Sequence, residues 1–298
     1  MRKLSTRLAT LLGTLSFIVL INPQAAFARL QVFVSIPPQK FIVKQIGGEH
    51  VKVNVMVQSG ASPHTYEPKP KQMVAITRAK IYFTVGVEFE TVWMRKLAAS
   101  NPAMAVVPTH DTIKKIPIMG HHHEERGHDD DDDDDHAGLD PHIWLSPPLV
   151  KKQALAILEA LQREDPSNSS AYKTNYTQFT QELSELDQEL KRIFRSRKNL
   201  QFLVFHPSWG YFAKAYGLEQ VAIETEGKNP KPAQLKEIIQ HAREQGIKVI
   251  FVQPQYSARS ARMVARAIGG EVVFVDPLSE NWMDNMRQVA EKFRRALN

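Results

Sequence analysis

"SNSSAYKTNYTQFTQELSELDQELKRIFRSR", residues 167–197, decides the architecture. Tyr172, Tyr176, Phe179, Leu183, Leu186, Leu190, Ile193 and Phe194 recur at threes and fours, which puts them on one stripe of an α-helix. Ser167 or Asn168 is placed to cap its start. Nothing in the run breaks it. At the α-helical rise, nearly 30 residues make one element on the order of 40 Å long.

On the N-terminal side of this helix, short β-branched runs alternate with amphipathic ones. Strands are expected at QVFVSI (31–36), VKVNVMV (51–57), KIYFTVG (80–86) and AMAVVP (103–108), and helices at KFIVKQIGG (40–48) and KPKQMVAITRA (69–79). The order recurs on the C-terminal side. Strands are expected at QFLVFH (201–206), EQVAIET (219–225), KVIFVQP (248–254) and EVVFVDP (271–277). Helices fall between them, and a last helix starts near Trp282. Such alternation builds βαβ units and parallel sheets. The expected fold is α/β: two lobes with parallel β/α sheets, joined by one long, rigid helix. Its boundaries are an N-terminal lobe over 29–166, the linking helix over 167–197 and a C-terminal lobe over 198–298.

Residues 1–28 stand apart. Arg2, Lys3 and Arg7 precede an apolar run from Leu8 to Ile21, and Ala26-Phe27-Ala28 ends it. A basic region, a short apolar region and an A-x-A end describe a secretory signal cleaved after Ala28. The run is short for a membrane anchor. Export is expected, and with no cysteine in the chain there is no disulfide, thiolate ligand or site for lipid attachment. In a host with two membranes the mature chain would be free in the periplasm.

The formal net charge of +6 hides a segregation. Residues 121–136, HHHEERGHDDDDDDDH, hold nine carboxylates against Arg126, so the remainder is strongly basic. No basic stripe interleaved with aromatics accompanies that charge, and export argues against nucleic acid.

Four residues share a setting suited to chemistry. His64, His142, His206 and Asp276 each have a proline beside them, and three lie at or just after an expected strand end. Open α/β sheets bind ligands outside the carboxyl ends of their strands. Proline stiffens the loop that carries each side chain. Three imidazoles and a carboxylate compose a tetrahedral zinc set. Singly, each has a plainer reading: His64 as a loop residue, His142 as a packed neighbour of Trp144, Asp276 as a turn former with Pro277. An apolar strand ending in His206 needs a partner for its imidazole, and the four together outweigh the plain readings.

GASPHTYEPKPKQ, DPHIWLSP, FHPSWGYFAKAYGL, VIFVQPQYS and VDPL, in this order and spacing, resemble the metal-specific solute-binding proteins of bacterial ABC transporters, the zinc/manganese group. The resemblance spans the whole mature chain. It implies a metal buried in the cleft between two lobes, held by His64, His142, His206 and Asp276. It also implies capture of Zn2+ in the periplasm and delivery to a membrane permease with its cytoplasmic ATPase. A monomer is expected. Manganese members typically have glutamate where this chain has His206, and imidazole suits zinc better. The charged loop, 117–138, resembles that of zinc members, although the aspartate run is unusual. With no apolar residues to bury it is expected to stay disordered. His121, His122, His123, His128 and His136 would form a low-affinity zinc collector, or else only a solvated linker.

Two other classes remain. A zinc hydrolase needs an open coordination position, and no H-E-x-x-H is present; His123 and His128 are five apart and do not share a helix face. No P-loop or G-x-S-x-G motif occurs either. An adhesin role, which the resemblance also brings into view, leaves no signature in the residues. The expectation is therefore a binding protein and no enzyme.

Overall fold

The computed structural model describes residues 29–118, 138–196, 199–224 and 230–297. The expected signal peptide and the histidines of 121–136 lie outside the described residues.

The first half runs β1 (Leu30–Val34), α1 (Pro37–Gly47), β2 (Val51–Val55), α2 (Pro70–Ile76), β3 (Ile81–Thr84), α3 (Glu88–Ser100) and β4 (Ala105–Pro108). Then follow α4 (Pro147–Glu164) and α5 (Ser169–Phe194). The second half runs β5 (Leu200–Val204), α6 (Gly210–Tyr216), β6 (Leu218–Ala222), α7 (Pro232–Glu244), β7 (Val249–Val252), α8 (Arg259–Ala267), β8 (Glu271–Phe274) and α9 (Trp282–Ala296). Helices α3 and α4 are additions to the sequence-based strand–helix list.

Two four-stranded sheets result, ordered β2-β1-β3-β4 and β6-β5-β7-β8, and every strand pair in them is parallel. The two orders are the same topology used twice. Parallel strands carry helices on their faces and so read as apolar runs rather than alternating ones. β3, Ile-Tyr-Phe-Thr, is buried at every position. Proline opens α1, α2, α4 and α7, where its missing N–H costs nothing. Gly48, at φ +55°, ends α1 in a conformation that disfavours a side chain.

Helix α5 has 26 residues, about 39 Å at 1.5 Å per residue. It buries Tyr172, Phe179, Leu183, Leu186, Leu190 and Phe194. It packs on α1 and α4 of the first half and on α6 and α9 of the second, so one rod backs both lobes. Its start differs from expectation: neither Ser167 nor Asn168 caps the helix with its side chain. Both donate instead to the Asp165 carboxylate, at 2.6 and 2.8 Å, and Tyr172 Oη donates to it at 2.6 Å. That knot fixes the turn between α4 and α5.

One continuous apolar core runs through both halves and along α5; a smaller one, around Leu203, Ile238, Ile250 and Val264, lies in the second half. Two buried tryptophans tie the lobes. Trp144 Nε1 donates to the Pro277 carbonyl at 2.7 Å, and Trp282 Nε1 donates to the Trp144 carbonyl at 2.8 Å. Tyr211 of α6 makes a further link, accepting from the Ile116 amide and donating to the Asp140 carbonyl.

Candidate metal centre

The carboxyl ends of the two sheets face one another across the cleft, and three of the four expected residues meet there. His64 sits in the loop after β2, His142 follows a short strap, and His206 follows β5. One ring nitrogen from each lies within 4.8 Å of the other two. His64 Nε2 is 3.0 Å from His206 Nε2, which is 3.4 Å from His142 Nε2. Zinc–nitrogen bonds of 2.0–2.1 Å in a tetrahedron set nitrogens about 3.3 Å apart, close to both of those separations.

The other nitrogen of every ring is held by a carboxylate. His64 Nδ1 is 2.7 Å from Glu88 Oε2, and His142 Nδ1 is 2.8 Å from Asp140 Oδ1. His206 Nδ1 pairs with Glu224. A carboxylate at Nδ1 places the proton there and leaves the Nε2 lone pair free. Three lone pairs then converge on one point, which repels itself unless a cation fills it. Burial, with the imidazoles of His142 and His64 beside it, pushes His206 well below the ordinary histidine range. It is therefore neutral, the form that ligates metal. Burial raises Glu88, but the hydrogen bond from His64 and one from its own backbone N–H outweigh that and hold it low.

Local sequence explains each placement. The Asp140 carboxylate accepts the His142 backbone N–H at 2.8 Å as well as Nδ1, so the Asp-Pro-His tripeptide is its own clamp. Gln253, fully buried at the end of β7, pins the His206 backbone: its Nε2 donates to the His206 carbonyl at 2.6 Å. Glu88 opens α3, and Glu90, two residues on, anchors the turn that leads into that helix. Glu90 accepts the Val85 and Gly86 amides at 2.9 and 2.7 Å and pairs with Ser35. Gly86, at φ +85°, makes that turn.

Asp276 does not join the triangle. Both hydrogen bonds to its carboxylate fall on Oδ1, from Gln255 Nε2 and the Leu278 amide, each at 2.9 Å. Its neighbours Pro277 and Leu278 do line the central cavity, whose volume is about 10 Å³. The expected low-affinity set, His121 through His136, lies outside the described residues, but the base of that segment is defined. Pro117 bridges Leu139, and the Ile118 amide donates to the Gly138 carbonyl at 2.9 Å, immediately before Asp140.

Sequence reasoning passed over Glu88, Asp140 and Glu224. Only Asp140 had a local signal, since it lies two residues before His142. It also passed over Tyr256, whose ring stacks on His206 at 4.8 Å between centroids and 23° between planes.

Comparison with known proteins bears on the fold and the family. The sequence model of the family described as "Zinc-uptake complex component A periplasmic" (ZnuA) matches residues 32–296. The chain is 31% identical over 253 residues to the high-affinity zinc uptake system protein ZnuA of Bacillus subtilis, covering 84% of this chain and 79% of that one. A crystal structure of ZnuA superposes with a TM-score of 0.83 at 38% identity, over 91% of this chain and all of that one, 100%. A deletion mutant of ZnuA with zinc bound gives the same TM-score, 0.83, and identity, 38%, over 91% and 99% of the two chains. None of these relatives is described as an enzyme.

Proposed function

The chain belongs to the family of periplasmic zinc-uptake components, metal-binding solute-binding proteins of ABC importers, and from that premise we propose that its cargo is Zn2+, bound in the cleft and handed to a membrane permease driven by a cytoplasmic ATPase. The observation that carries the reading is the triangle of Nε2 atoms, each backed by a carboxylate. Imidazole is a good ligand for zinc, whereas manganese favours oxygen donors, and His206 supplies nitrogen at the position that distinguishes the two. The ligand set is His64, His142 and His206, with Asp276 turning its Oδ2 inward as the fourth once the ion is present. The cavity, at about 10 Å³, has room for an ion and none for an organic substrate beside it, which favours binding over hydrolysis.

Among the described residues no helix is long and apolar enough to cross a membrane. The reading is a periplasmic protein, in keeping with the family's description. Residues 121–136 would collect zinc weakly beside the main site.

Competition titration of the metal-free chain against graded chelators tests the proposal. One tight zinc per chain is expected, with manganese bound far more weakly, and His206→Ala should abolish the tight site. Equal affinity for manganese, or unchanged zinc affinity in His206→Ala, would overturn it. Anomalous diffraction at the zinc edge would then locate the ion and decide whether Asp276 ligates it.

A further inference from the structure

Asp276, the proposed fourth ligand, is held by only one of its two oxygens. Oδ1 accepts both hydrogen bonds to the carboxylate, from Gln255 Nε2 and from the Leu278 amide, each at 2.9 Å. A carboxylate oxygen has two lone pairs in its plane, and both are thereby spent. Oδ2 takes neither bond. Asp276 is thus prepared to give an ion one oxygen and not two.

The two donors play different parts. The Leu278 amide belongs to a backbone pinned at the two residues before it. The Asp276 carbonyl accepts from Asn285 Nδ2 at 2.7 Å, and the Pro277 carbonyl accepts from Trp144 Nε1 at 2.7 Å. Gln255 reaches the carboxylate from elsewhere, the turn between β7 and α8, and lines the cavity beside the three imidazoles. Its amide must present nitrogen there, since an ionised carboxylate only accepts. The other end of that amide gains nothing: Gln255 Oε1 is buried with no hydrogen-bond partner among the described residues. A buried orphan oxygen costs stability, so the amide's contribution lies in its bond to Asp276 rather than in the fold.

From this we infer that Gln255 sets the metal selectivity of the centre by keeping Asp276 a one-oxygen ligand. Three imidazole nitrogens and one oxygen make four donors, the number a tetrahedral zinc takes. Manganese favours octahedral sets rich in oxygen, and a second oxygen from Asp276 would move the centre toward such a set. On the zinc reading above, with Asp276 as fourth ligand, Gln255 withholds that oxygen. It is a positioning residue, with no bond to the ion.

The experiment titrates the full chain with zinc and with manganese against graded chelators. Gln255→Leu keeps the bulk and deletes the donor; Gln255→Ala deletes it with less bulk. In both, the preference for zinc over manganese should shrink by about tenfold or more, the usual weight of a partner that orients a ligand. The metal-free melting temperature should stay near that of the unaltered chain. Cobalt reports the geometry: its intense visible absorption in a four-coordinate site should weaken in Gln255→Leu as the second carboxylate oxygen joins. In an Asp276→Asn background, where the side chain has a single oxygen, Gln255→Leu should leave the preference where it was; a merely structural role would erode it there too. An unaltered preference in both Gln255 variants, an unchanged cobalt spectrum, or equal erosion in the Asp276→Asn background would each overturn the assignment of selectivity to Gln255. Zinc held by the unaltered chain without Asp276, seen by anomalous diffraction, would instead overturn the ligand reading, and failure to take up zinc at all would overturn the zinc reading.

Discussion

Replacing Glu224 by glutamine keeps the size of the side chain and an oxygen that can accept the His206 Nδ1 proton, but removes a charge. Both partners are buried, with His206 5% and Glu224 2% exposed, so water cannot take over the role. In the loaded protein the carboxylate makes the imidazole a better donor and offsets part of the ion's charge. Loss of such a partner typically costs about 10–100-fold in metal affinity, or roughly 1.4–2.8 kcal/mol at 1.4 kcal/mol per tenfold. Glutamine is nearly isosteric with glutamate, so the metal-free fold keeps its packing. Glu224→Gln should therefore bind zinc at least tenfold more weakly while its metal-free form melts near the same temperature. Chelator competition and a metal-free thermal melt measure the two quantities on one sample. Glu88→Gln is the control: at 51% exposure, solvent substitutes for much of the lost charge, and the penalty should stay under about tenfold. A larger loss in Glu88→Gln than in Glu224→Gln, or a metal-free destabilisation matching the binding loss, would refute the reasoning.

Three further outcomes are expected. Because the folded chain depresses the proton affinity of His206 and the unfolded chain does not, the unfolded state binds more protons below a reference of about 6.5. Metal-free stability should thus fall as pH drops from 7.5 to 5, and His206→Gln should flatten that slope in denaturant titrations. In Gly210→Ala the new Cβ would stand 2.9 Å from Asp140 Oδ2. Asp140 must then shift and take His142 with it, so zinc affinity should drop and stability fall by about 1–3 kcal/mol, as for other overpacked sites. Deleting residues 121–136 should leave the tight site intact and remove weaker, fast-exchanging zinc; calorimetric stoichiometry identical with and without the segment would reduce it to a linker.

How far the sequence disclosed this molecule depended on whether each signal was local. The α5 rod was legible because its buried residues, Tyr172 to Phe194, keep helical spacing over about six turns. The three histidines that meet in the cleft could be singled out because each has a proline beside it, and two of them, His64 and His206, follow an expected strand. Helix α3 was not, since it buries only Phe89, Glu90 and Leu97 and leaves no stripe to read. Glu88 and Glu224 were not legible either, as a carboxylate becomes a histidine's partner only when two strand ends are brought side by side. The side chains of Ser167 and Asn168 turned to Asp165 because its carboxylate offered a charged acceptor, a stronger partner than an amide.

The centre also has a consequence for timing. Its nitrogens come from positions far apart in the chain; His64 and His206 are separated by 142 residues. A chain emerging N-terminus first exposes two of the imidazoles while β5, β6 and Glu224 do not yet exist. Two exposed histidines make a poor and reversible zinc trap, and the third arrives with the second sheet, which α9 completes only at the very end. On the proposed zinc reading, tight capture therefore waits until the second sheet has formed beside the first.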